Sequence, residues 1–299
     1  MGESDGYFPR GSMLRTVQEE RVVGLFYGQR ALCIGTLMPL NFIGTIEHTR
    51  WRNRIFQRLF YTGRAFETVF FGSREEADRV LRMVGHMHSR VHGELAYDAG
   101  PVKAGTSYSA YDPDQMLWTV AVAADSARYF YELFVRPLTT TEKDELWHDY
   151  VRFGELFGLD PAHCPRSDEE FQAWFTARLR SEQMHLTPES SYVGYAVLFQ
   201  IPLPAAHAPA QLVHNAIQLG GLPPIVREYY GLRYGPGNEL AFNAAVAAVR
   251  AARRIAPDRL TRGSCARSYE LVAATEKARL AANRYVPEEG DVKRVALGA

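Results

Sequence analysis

Hydrophobic positions recur at spacings of three and four along most of this chain, a period that predicts helices almost from end to end. The best-marked helix starts at the capping box Ser73-Arg74-Glu75-Glu76, where a hydroxyl and the carboxylate three residues on satisfy free amides, and it stops at Gly93. Between them Ala77, Leu81, Val84, His88 and Val91 share one face, so the His88 imidazole points where the aliphatic side chains point. His92 follows one turn further on the same side, and His86 points elsewhere.

The remaining pattern is read in the same way. Residues 17–36 run helically to Met38-Pro39, where proline redirects the chain, and the aromatic- and Arg-rich stretch 41–70 predicts one or two helices with Gly63 and Gly72 as interruptions. A loop from Gly100-Pro101 to Ser109 precedes Asp112-Pro113, an N-cap and first-turn proline for a long apolar helix to about Phe134. Thr141-Glu142-Lys143-Asp144 opens the next helix, and Ser167-Asp168-Glu169-Glu170 is a further capping box. Pro202, Pro204 and Pro209 mark a linker, after which 210–220, 223–231, Glu239–Ala256 and 266–284 read as helices before a polar tail over 286–299. Tyr192–Ile201 has the best two-residue alternation and fits a strand or a buried helix equally. The expected class is all-α, a single domain over 13–285 with a globin-like core and additional helices. Phe8-Pro9-Arg10-Gly11-Ser12 resembles a protease-site remnant, so residues 1–12 are expected to be vector-derived or disordered.

Composition narrows the chemistry. Acidic and basic residues balance at 34 each, leaving no electrostatic footprint for nucleic acid or an anionic membrane. Cys33, Cys164 and Cys265 are far apart and lack paired metal spacing, which fits buried structural thiols in a reducing, cytoplasmic setting. No apolar run reaches the length of a spanning helix, and the first dozen residues carry no signal-peptide core. Phosphate loops, dinucleotide fingerprints and nucleophile elbows are absent. Asp112, Asp114 and Asp125 suit helix capping and one intrahelical contact rather than a calcium loop. The zinc-protease pattern fails because Ser89, not Glu, follows His88. From the residues alone, His88 is either a core imidazole hydrogen-bonded to a carbonyl or a metal or haem ligand.

A series of short motifs bears on that choice: Gly28-Gln29-Arg30-Ala31-Leu32, Pro39, His48, Arg58-Leu59-Phe60-Tyr61-Thr62, His88 with Gly93, Tyr108 through Pro113, Leu117-Trp118, Asp125-Ser126, Leu222 through Leu232 and Pro257 through Leu260. In this order they resemble the family of latex-clearing proteins and MpaB-type oxygenases. The resemblance implies an all-helical core holding one b-type haem (haem b, iron), with oxygen bound at the iron, and oxidative cleavage of carbon–carbon double bonds as the best-known activity. It puts His88 at the proximal iron ligand, His92 where an arginine is common beside the cofactor, and Arg58 with Thr62 over the distal side. Tyr61 stands where rubber-cleaving members carry lysine, and Met38 and Val120 replace two usual histidines. The implied function is therefore a haem-dependent oxygenase taking a small, largely apolar metabolite with dioxygen or peroxide. The alternatives are a haem-dependent hydroxylase, isomerase or lyase, and a haem or ligand carrier.

Overall fold

In the computed structural model, which describes residues 6–49 and 54–282, the periodic segments are helical. They are α1 (Met13–Gln18), α2 (Arg21–Gly24), α3 (Tyr27–Gly35), α4 (Pro39–Glu47), α5 (Ile55–Phe71) and α6 (Arg74–His88), then α7 (Pro113–Phe134), α8 (Thr140–Leu156), α9 (Asp168–Leu179) and α10 (Pro188–Phe199). α11 (Ala208–Gly221), α12 (Pro224–Tyr229), α13 (Pro236–Ile255), α14 (Asp258–Thr261) and α15 (Ala266–Ala281) complete the series. Between α6 and α7 lies one antiparallel hairpin, β1 (His92–Glu94) with β2 (Ser107–Ser109), in which Gly93 faces Tyr108. The class is all-α, as the period predicts.

The core is built on α7. Asp112 Oδ1 accepts from the Gln115 amide at 3.1 Å and Pro113 occupies the first turn, so the helix starts where the sequence places it. Leu117, Trp118 and the run Val120–Ala127 are buried around its whole circumference, which puts it inside the molecule, and the small side chains let α2, α3, α8 and α13 pack on it. Trp118 is anchored through its ring N–H to the Gly35 carbonyl at 3.1 Å. All three cysteines are free and buried, and burial pushes the thiols of Cys33 and Cys265 up to about 12 and that of Cys164 to about 11, which keeps them inert.

One polar group sits at the centre of this packing. Arg30 Nη1 donates to Asp125 Oδ2 at 2.6 Å and to Ser126 Oγ at 2.8 Å, Nε donates to the Gly221 carbonyl at 2.8 Å, and the guanidinium lies 4.7 Å from the Tyr129 ring centre. Asp125 thus makes an interhelical ion pair joining α3, α7 and α11, not the intrahelical contact expected of it.

Several boundaries differ from the sequence reading, each for a local reason. The stretch 41–70 is split between α4 and α5, and Gly63 lies inside α5 because a Cβ there would sit 3.0 Å from the Tyr269 ring. Thr139 rather than Thr141 caps α8, sharing a full capping box with Glu142. Ser167 caps α9, but the Glu170 carboxylate turns instead to the Arg166 amide at 2.7 Å. Tyr192–Ile201 falls largely in α10, a helix. Within the segment expected to be vector-derived or disordered, residues 6–12 pack: Phe8 is 1% exposed and lies edge-on to Phe70, and the Tyr7 hydroxyl donates to Asp78 at 2.6 Å. The polar tail 286–299 lies outside the described residues.

α5 and α15 cap one another. Neither has a local side-chain cap, at Arg54 or at Cys265. Glu276 of α15 instead accepts the Phe56 amide at 3.0 Å and the Gln57 amide at 2.7 Å, while Glu67 of α5 accepts the Cys265 amide at 2.7 Å and the Ser264 hydroxyl at 2.6 Å. The Glu276 side chain is wholly buried, and that burial pushes its carboxyl above the usual carboxylate range despite the amide bonds that favour the charged form.

Two predictions follow from the core. Arg30→Ala leaves Asp125 buried and unpaired, and should cost about 3–5 kcal/mol in urea unfolding; a loss below about 1 kcal/mol would show that the pair is dispensable. His214 stacks on Phe26 at 5.1 Å, and burial lowers its pKa to about 4. The unfolded imidazole protonates near ~6.5, so between about pH 6.5 and 4 the unfolded state binds the extra proton and stability falls with pH. The loss should approach ~3 kcal/mol at pH 4 and be absent from His214→Phe, whose unfolding free energy should be flatter across that window. Parallel curves for the two proteins would contradict the assignment.

Candidate functional site

α5 and α6 are joined by the short link at Gly72-Ser73, where Ser73 and Glu76 form the predicted capping box, and they pack against each other. At 1.5 Å per residue, Arg58 on α5 and His88 on α6 each lie roughly 20 Å of helix away from it, towards the helix end remote from the link. Cover is thin there. The apolar stripe predicted on α6 exists, but only Ala77 near the link is buried; Leu81, Val84 and His88 are half-buried, and Met83 and Met87 are 63% and 56% exposed.

His88 is the last residue of α6. Its Nδ1 is buried and has no hydrogen-bond partner among the described residues, and burial lowers the imidazole pKa, which favours the neutral form. The Tyr111 ring stands edge-on at 6.1 Å, and its hydroxyl donates to the Gly85 carbonyl at 3.0 Å, bracing the last turn of the helix. Because α6 closes at Ser89 rather than at Gly93, His92 is not one helical turn beyond His88: it lies on β1 and is exposed. His86 is also exposed, with Arg90 at 2.7 Å from its Nε2. His48 caps the end of α4, where its Nε2 is 3.1 Å from the Tyr108 hydroxyl, which in turn donates to Glu47 at 3.0 Å.

On α5, Arg58 is half-buried. Burial lowers its pKa, and no carboxylate pairs with it among the described residues, so the interhelical ion pair open to such an arginine is not made. Thr62, one turn on, is exposed, and Tyr61 beside it is 56% exposed with its ring edge-on to Phe60 at 5.2 Å. Among the described residues, the ends of α5 and α6 away from the link thus carry an imidazole nitrogen and a guanidinium without partners, and the exposed side of α5 adds a hydroxyl and a phenol. Met38 and Val120, each 6% exposed, are core residues. Sequence reasoning missed Tyr111 as the brace of α6 and Glu276 as the cap of α5, since both act on backbone groups of distant segments. A separate open cavity of about 300 Å³ between α10, α11 and α13 is lined by Tyr195, Phe199, Asn215 and Arg233, and no α5 or α6 residue reaches it.

The family described as ER-bound oxygenase mpaB/B'/rubber oxygenase, catalytic domain, matches residues 14–251. The chain belongs to this oxygenase family. The match takes in α5, α6 and the candidate residues on them, and ends before α14 and α15. Two mycobacterial relatives, uncharacterized proteins of Mycobacterium bovis and Mycobacterium tuberculosis, are each 25% identical over 209 residues, which is 68% of this chain and 77% of theirs. No solved structure matches the chain significantly. Membership of an oxygenase family implies an enzyme acting on a small molecule with oxygen. Among the described residues no helix is long and apolar enough to cross a membrane.

Proposed function

We propose that this chain is a b-type haem-dependent oxygenase acting on a small, largely apolar metabolite, with His88 as the proximal iron ligand. The observation that carries the reading is the buried Nδ1 of His88 at the end of α6, partnerless among the described residues. An orphaned imidazole nitrogen in an apolar setting is costly unless something binds it. A haem fits the residues present: it asks the protein for one or two ligands, and no three His, Cys, Asp or Glu side chains converge among the described residues. Haem supplies the iron and the oxygen chemistry when bound. The chain supplies the rest. Arg58, desolvated and uncompensated, is suited to hold negative charge that develops on the reacting group, and Thr62, on the same helical face, offers a hydroxyl to orient it. Tyr61 lies about 100° round the helix from Thr62 and shapes the pocket from its edge. The apolar side chains on α5 and α6 favour an apolar substrate. Dioxygen or peroxide is the co-substrate, and the buried free thiols support a reducing, cytoplasmic setting.

His88→Ala should abolish the Soret band of protein reconstituted with haem while leaving far-ultraviolet dichroism nearly unchanged. Retention of a native band would move the ligand to another histidine, His92 first. Arg58→Ala should keep the bound haem but lower turnover by about 100-fold, the effect expected when one donor aimed at developing charge is lost; normal turnover with a substrate of the wild type would exclude Arg58 from the reaction.

A further inference from the structure

The segment that braces the candidate site lies outside the family match, which ends at residue 251. α15 packs along α5, and the two ends of the contact are fixed by carboxylates exchanged in opposite directions, Glu276 to the start of α5 and Glu67 to the start of α15. The amides taken by Glu276, those of Phe56 and Gln57, are the second and third of the helix, the same two that a local N-cap side chain would serve. Midway along α5, Gly63 lets the Tyr269 ring approach to 3.0 Å of its Cβ position, so the two helices pack closely there.

We propose that Glu276 is a positioning residue for the α5 face of the site, holding Arg58, Tyr61 and Thr62 in place by clamping α5 to α15. Arg58 is the residue directly after Gln57. Both Glu276 oxygens accept backbone amides and the cation acting on the carboxylate is Arg54, so this buried anion fixes the helix start without forming an ion pair with Arg58. Released from those amides, the carboxylate would become a competing anion within about one turn of Arg58. That the positioned face is the reacting one rests on the haem oxygenase reading, whereas the clamp itself stands independently of it.

The test separates clamping from ordinary helix capping. Glu276→Ala is compared with Glu276→Ala/Arg54→Asp, in which a local carboxylate caps α5 again; Glu276→Gln, which keeps the volume and one acceptor, replaces Glu276→Ala if that variant fails to fold. Hydrogen exchange is read over the first turn of α5 and over Ala273–Ala281 of α15, and haem affinity is read by titration of the Soret band. Glu276→Ala should speed exchange about tenfold or more in both segments and weaken haem binding by a similar factor. Arg54→Asp should restore protection at the start of α5 but neither the protection of α15 nor haem affinity. Restoration of all three by the local cap, or unchanged exchange in Glu276→Ala, would overturn the clamp. If wild-type protein binds no haem, the haem reading fails and the exchange of α15 still decides the clamp.

Discussion

The arrangement of this protein depends on the ion pair between Arg30 and Asp125. The middle of the helix that carries Asp125 is buried around its full circumference, and a surface mostly of alanine and valine can be packed against in many nearly equal ways. A buried guanidinium with an aspartate, a serine hydroxyl, a carbonyl and an aromatic face around it has one good position. Removing two charges from water costs several kcal/mol per ion, so the pair contributes little net stability when intact; its effect here is to fix the register of α3, α7 and α11 against one another. α2, α8 and α13 pack against α7 once it is fixed.

Much of this was legible in the sequence. The three-and-four period gives the all-α class, and Ser73 and Asp112 mark their helix starts correctly because a cap is a local device whose residues are adjacent in sequence. Arg30 and Asp125 occur in two separate motifs of the resemblance, and the structure shows them to be the two halves of one contact. Glycine misled in two places for one physical reason. Gly93 reads as a helix stop, yet it is in β1, where a Cβ would come within 2.8 Å of the Tyr108 hydroxyl. Gly63 reads as a break, yet it admits the Tyr269 ring within an unbroken helix. In each case close approach by another segment requires the glycine, and one-dimensional pattern carries no trace of the approaching partner.

The candidate site was legible to the same extent. An imidazole on an apolar stripe drew attention to His88, whereas Arg58 and Thr62, four apart and so on one helical face, were singled out by the resemblance. Tyr61 and His92 were placed by resemblance, and His92 landed on a strand because α6 closes early. Glu276 could not have been found. A glutamate in the middle of a charged helix reads as solvated, and nothing near it indicates that it is wholly buried on amides of another helix.

The reciprocal caps also constrain the order of assembly. The amides of Phe56 and Gln57 are separated by 220 and 219 residues from the carboxylate that satisfies them. During synthesis the start of α5 must therefore be left to water until nearly all of the described chain has been made. Local helices and the α7 core can form earlier, but closure of so long-range a contact comes late, because loop entropy must be met before the contact stabilises anything. A chain truncated before α15 would keep the α7 core while leaving the start of α5 without its carboxylate cap.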